Sequence, residues 1–222
     1  MENKKTNVKL LSQMALLTAL MLVLAFTPLG FIPLGFMNAT TMHIPVILGA
    51  CLLGPKMGGV LGGVFGVTSV IRATLTPNLT SFVFTPFYSF NPDFHGSWMS
   101  LIVAILPRVL IGVVAGYAFR GLMKVSHGRA AVSLPIAGFI GSMVNTIGVM
   151  GLIYLLFGEQ YAMAGGMAHN LLFKVIMGVV GMNGVPEAII AAVLTLAVGK
   201  ALMAAFGYQN QHKKKTDVQK IA

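Results

Sequence analysis

A chain of 222 residues that is 56% hydrophobic and 9% charged, with mean hydropathy +0.85, has too few polar groups to coat a globular surface. Soluble domains carry roughly 25% charged residues. The formal net charge of +10 comes from Lys and Arg at the termini and in short turns, which argues against a nucleic-acid face and fits anchors of membrane helices. The lone Cys51 lies in an apolar run and cannot form an internal disulfide.

The first apolar run, Leu10 to about Pro28, follows Lys4, Lys5 and Lys9. It has the roughly 20 residues needed to span a bilayer as a helix. No small-residue cleavage site followed by soluble sequence ends it, so it reads as a retained span. The turn-rich segment Pro28 to Gly35 comes next, then a second run from Thr40 to Leu53 that is short for a full crossing. Gly54-Pro55-Lys56 turns the chain, and a third run extends from Met57 to about Arg72.

Residues 73–97, with Pro77, Pro86 and Pro92 among hydroxyl and aromatic residues, read as an exterior loop with a re-entrant or lid-like part. The fourth run, Trp98 to Phe119, begins on an indole suited to the membrane interface. Arg120, Lys124, His127 and Arg129 form a basic turn, and the fifth run is Ala131 to Phe157. The stretch Glu159 to Asn183 reads as an outer loop with helical character. A last span starts near Gly184-Val185-Pro186, where proline suits a first helical turn, and ends near Phe206. The expected fold is an all-α membrane protein: a six-transmembrane-helix bundle over residues 10–206, with cytoplasmic tails at 1–9 and 207–222. The orientation follows from Lys and Arg crowding the inner segments, which places both termini in the cytoplasm.

Gly58, Gly62 and Gly66 recur one turn apart, as do Gly112 and Gly116 and the pair Ala15 and Ala19. Small residues at this spacing let membrane helices approach closely. Ionisable and amide groups at membrane depth are the functional candidates, because each is costly there without a cavity or a partner. They are Arg108 in the fourth run, Glu187 at the start of the last, His43 before Pro45, and Asn145 in the fifth. Arg72 at the outer end of the third and Asn183 before Glu187 join them. Two readings stay open: an internal Arg108–Glu187 pair, or a polar pocket opening outward between the last three helices. In the second, Arg108 holds a carboxylate or phosphate, and aromatics such as Phe82, Phe84, Phe87, Tyr88 and Phe90 cover an apolar body. His43 has no second His at helical spacing, so a metal site is not expected. The chain lacks a phosphate-binding G-x-x-x-x-G-K-[ST] loop, an H-E-x-x-H pair and a G-x-S-x-G elbow, so neither ATP hydrolysis nor another enzymatic activity is expected of it.

Together these residues resemble a known family. Ala15-x-x-x-Ala19, the run Met42-His43-Ile44-Pro45 with Leu53-Gly54-Pro55-Lys56, and Gly62-Gly63-Val64-Phe65-Gly66 are similar, in order, to the first three helices of the S components of energy-coupling-factor (ECF) vitamin transporters. Leu106-Pro107-Arg108 and Asn183-Gly184-Val185-Pro186-Glu187 are similar to the fourth and sixth. The resemblance implies a bacterial plasma-membrane protein that binds a vitamin near the outer surface and holds no cofactor of its own. It also implies docking through Ala15 and Ala19 on a transmembrane coupling subunit with two cytoplasmic ATPases, whose ATP hydrolysis topples the S component inward. Trp98 is the only tryptophan, so no aromatic cluster awaits a ring substrate. Arg108, Asn145 and few large aromatics suit a small hydroxylated carboxylate. Pantothenate is the expected substrate, with riboflavin, pyridoxine or another micronutrient, and a stand-alone secondary transporter, as alternatives.

Overall fold

The computed structural model describes residues 2–27, 30–33, 38–88 and 93–205. The expected turn at 28–35 lies partly outside these residues, and Phe90, Pro92 and the basic tail at 207–222 lie wholly outside them. Helix α1 (Glu2–Phe26) is apolar from Leu10 onward, and its described side chains, 8–26, bury only a stripe one turn apart, Leu17, Met21 and Ala25, against α2 and α3. A ribbon of two short antiparallel strands follows, β1 (Phe31–Pro33) and β2 (Asn38–Thr40), with Phe31 opposite Thr40. This ribbon is the one departure from an all-helical architecture among the described residues.

The second apolar run forms α2 (Ile44–Leu53), ten residues long, or about 15 Å at helical rise. Every residue from Ile44 to Cys51 is buried, as expected of a helix that is apolar all round and sits inside a bundle. Gly54, at φ 104°, turns the chain into α3 (Pro55–Leu75). Helix α4 (Met99–Val125) packs along α3 at close range. A Cβ added at Gly62 would lie 2.1 Å from the Arg108 carbonyl oxygen, and one at Gly112 would lie 2.0 Å from that of Gly58. Gly62→Ala therefore has to push two backbones apart. The expected loss is about 1–3 kcal/mol, the usual cost of overpacking, visible as a lower melting temperature of the detergent-solubilised protein. An unchanged melting temperature would mean that the α3–α4 contact is looser than described.

The segment between α3 and α4 is anchored. Phe82 and Val83 are fully buried in a 3-10 turn (Ser81–Val83), and Phe82 stacks on Phe94 at 5.7 Å and meets Phe157 edge-on at 6.0 Å. The Ser100 hydroxyl donates to the Phe82 carbonyl at 2.7 Å. Helix α5 (Ala130–Ala164) kinks at Phe157 and continues beyond it. Then α6 (His169–Val179) runs through a π-helical turn at Val180–Gly184 into α7 (Val185–Ala205). The stretch 159–183 is thus mostly helix rather than loop, and the last helix does not begin at Gly184 but passes through Pro186. Proline brings no N–H to the i−4 carbonyl. The ladder here accommodates it with a longer-range bond from the Val185 amide to the Val180 carbonyl.

Five helical segments are long and apolar enough to cross a membrane: Val8–Phe26, Pro55–Leu75, Met99–Val125, Ala130–Ala164 and His169–Ala205. Helix α2 is a shorter sixth. The main apolar core joins α1 through α5 and α7 around Met21, Ile47, Leu61, Ile111 and Leu134.

Candidate substrate-binding site

Where α3 ends and α4 and α7 begin, the bundle forms a partly open cavity of about 330 Å³, within the range of small-ligand sites. Three helical faces converge on it. From α3 come Phe65, Ser69, Arg72 and Thr76, spaced i, i+4, i+7 and i+11; from α5, Asn145, Thr146, Val149 and Met150; from the π turn and α7, Asn183, Gly184 and Glu187. Thr40 at the end of the ribbon, Asn78 and Phe84 complete the wall on the outer-loop side.

Arg108 reaches this cavity for a reason written in its own helix. Pro107 has no N–H, so the Val103 carbonyl loses its intrahelical donor. The Arg108 guanidinium supplies one instead, with Nη1 donating to Val103 O at 2.8 Å. Its guanidinium carbon lies over the Phe65 ring at 5.6 Å and the Phe84 ring at 5.3 Å, measured to the ring centroids. These two cation–π contacts help hold the guanidinium in place. The Nε of Arg108 and the Oδ1 of Asn145 are buried without an intramolecular hydrogen-bond partner. Buried polar atoms are seldom left so, and here both belong to residues lining one cavity, a donor and an acceptor.

Glu187 is engaged elsewhere. The Thr40 hydroxyl donates to its Oε1, and the same oxygen lies 3.5 Å from His43 Nδ1. An Arg108–Glu187 ion pair is therefore not formed, although both residues line the cavity. With Arg72 and Arg108 against Glu187, the lining carries one excess positive charge. Of the expected site residues, Arg72, Phe84, Arg108, Asn145, Asn183 and Glu187 come together here. His43 does not line the cavity; it is fully buried behind Glu187. Tyr88 is also outside the lining and exposed, and Phe87 stacks edge-on against Trp98 instead. Ala15 and Ala19 are exposed on α1, away from the stripe it buries.

A family model described as "ECF transporter, substrate-specific component" matches residues 9–199, most of the chain. The chain belongs to this family. Among its relatives, the pantothenic acid transporter PanT of Lactococcus lactis subsp. cremoris is 34% identical over 163 residues, covering 73% of this chain and 76% of that protein. The pantothenate transporter PanT of Leuconostoc mesenteroides subsp. mesenteroides is 29% identical over 166 residues, 74% of each. A crystal structure of the S component for biotin from an ECF-type ABC transporter superposes with a TM-score of 0.53 at 17% identity, covering 90% of this chain and 94% of that one. That likeness concerns the fold. This S component is accordingly the substrate-binding part of an ECF transporter, a multi-pass membrane protein whose relatives are transporters rather than enzymes.

Several lining residues of this S component escape a reading based on charge. Phe65, Ser69 and Thr76 share the face of Arg72 on α3, and that helical period was the available signal. Thr146 follows Asn145 directly. Thr40 and Asn78 carry no such signal, because only the folded chain brings the ribbon and the outer loop onto the helices.

Proposed function

We propose that this S component captures pantothenate in the cavity around Arg108, at the outer face of the bacterial plasma membrane. The observation that carries the reading is the clamped Arg108, with its unpaired Nε, beside the unpaired Asn145 Oδ1 in a cavity of net positive charge. Pantothenate offers a carboxylate to the guanidinium, by a charge-assisted bond, and hydroxyl and amide donors to Asn145. Asn183, Ser69 and Asn78 are further partners for its polar groups. The two PanT relatives, named as transporters of pantothenic acid and pantothenate, support the same substrate. Riboflavin and pyridoxine bring rings for which the lining has two phenylalanines, both already occupied by Arg108.

The ribbon together with α2 forms one crossing, and α6 with α7 forms another, so the chain makes six. Both termini then lie in the cytoplasm, with the basic tails 1–9 and 207–222 as inner anchors. The loaded chain docks through the Ala15/Ala19 face of α1 on a transmembrane coupling subunit carrying two ATPases, which hydrolyse the ATP; the chain itself has no cofactor. In proteoliposomes, labelled pantothenate is taken up when the coupling subunit, both ATPases and ATP are present, and not by the chain alone. Uptake by the chain alone, indifferent to ATP, would make it a secondary transporter instead.

Glu187 holds the ribbon to α7 through Thr40. Thr40→Val removes that bond while keeping the side-chain volume. The expected result is pantothenate affinity lower by roughly three- to tenfold, the worth of one hydrogen bond of about 0.5–1.5 kcal/mol, arising mainly from faster release. A rate of release equal to wild type would remove the ribbon from the account of binding.

A further inference from the structure

At the opposite end of the bundle, the last turns of α4 and the turn into α5 form an open depression in the surface. Tyr117, Arg120, Gly121, Lys124 and His127 line it. Arg120 and Lys124 stand one turn apart and exposed, and His127 follows in the left-handed region at φ 54°. The Arg120 guanidinium lies over the α2–α3 turn, where a Cβ on Gly54 would come within 2.3 Å of its Nη2. No carboxylate answers these groups among the described residues. Asp93, Glu159 and Glu187, the acids whose side chains are described, all belong to the cavity end of the bundle.

The lipid-facing side of α4 continues this pocket toward mid-membrane. Leu106, Leu110 and Tyr117 are exposed on the same helical stripe as Gly121. Around Gly121 there is open space, since a Cβ built there would meet nothing within 4 Å. Basic anchoring alone needs bases near the interface; it needs neither an open notch nor an apolar track leading into it.

We propose that this pocket is a binding site for an anionic phospholipid. Arg120 and Lys124 hold the phosphodiester, a geometry that suits a guanidinium fork beside a point charge. The acyl chains lie along Leu110 and Leu106, and Tyr117 marks the depth of the interface. The amphiphilic sequence along one helix, from cations to aromatic ring to leucines, matches a lipid rather than a soluble anion. The stripe also belongs to α4, whereas α1, which bears the Ala15/Ala19 face, packs on α2 and α3.

The test uses the full-length chain in detergent, equilibrated with equal amounts of phosphatidylglycerol and phosphatidylcholine and analysed by native mass spectrometry. Phosphatidylglycerol is retained over phosphatidylcholine by about 25-fold, as expected for two cations near a headgroup at about fivefold each. Lys124→Gln lowers that retention about fivefold. Gly121→Leu fills the notch without changing the charge that orients the chain, and it abolishes the preference while pantothenate affinity stays at the wild-type value. Equal retention of the two lipids would overturn the proposal, as would undiminished retention by Gly121→Leu. Displacement of phosphatidylglycerol by millimolar inorganic phosphate would identify an ion site and overturn it too. Should Lys124→Gln fail to insert, the Gly121→Leu comparison decides by itself.

Discussion

Replacing Arg108 with alanine lowers pantothenate affinity by about 10- to 150-fold, the equivalent of about 1.5–3 kcal/mol for a hydrogen bond to a charged group. The loss has two parts. The carboxylate of the ligand loses its cationic partner, and the aromatic clamp of Phe65 and Phe84 loses the group it holds. The variant also leaves the Val103 carbonyl without the donor that compensates for Pro107, so stability falls as well. Calorimetric titration on protein that still elutes as a single folded species separates the two effects. Arg108→Lys is the informative companion. It keeps the charge but not the planar fork or the stacking, and it recovers only part of the affinity. Wild-type affinity in a folded Arg108→Ala protein would confine this arginine to repairing its own helix.

Substituting tryptophan for Ala15 or Ala19 abolishes ATP-driven uptake and leaves pantothenate binding within about twofold of wild type, the usual range for exposed positions. Both alanines lie on the exposed side of α1, while Leu17, Met21 and Ala25 make the contacts to the bundle. Bulk at 15 or 19 therefore meets nothing inside the chain. It obstructs a second helix that has to approach at small-residue distance. Binding is measured on the isolated chain, and uptake after reconstitution with the coupling subunit and ATPases. If binding fell together with uptake, α1 would be supporting the cavity rather than a partner.

Much of this was legible because lipid penalises polar groups so heavily. Arg72, Arg108, Asn145, Asn183 and Glu187 stand out in a chain with so few charges, and the fold gathers all five on one cavity. The glycine pattern of α3 and α4 likewise announced a close contact, which the backbone distances at Gly62 and Gly112 display. Pairing was harder to read than placement. Opposite charge at membrane depth offered Arg108 and Glu187 to each other, but Pro107 opened a nearer acceptor for the arginine, and the Thr40 hydroxyl reached the carboxylate, with His43 beside it. His43 was conspicuous for its polarity, yet it sits behind the cavity wall.

Continuity was the other blind spot. A proline following Asn-Gly reads locally as a helix start, whereas a π turn carries α6 into α7 across it. The ribbon of β1 and β2 had no periodic signal, being only three residues on each side. Phe82 looked like material for a cover, but its burial, with that of Val83, makes it the anchor of the outer loop.

The most direct measurement is mass spectrometry of the small molecules released on denaturing the purified chain, expressed in cells grown with a mixture of vitamins. The expected result is pantothenate in near-equal molar amount, missing from the Arg108→Ala protein. Release of riboflavin, pyridoxine or another micronutrient in its place, with no binding of added pantothenate, would contradict it.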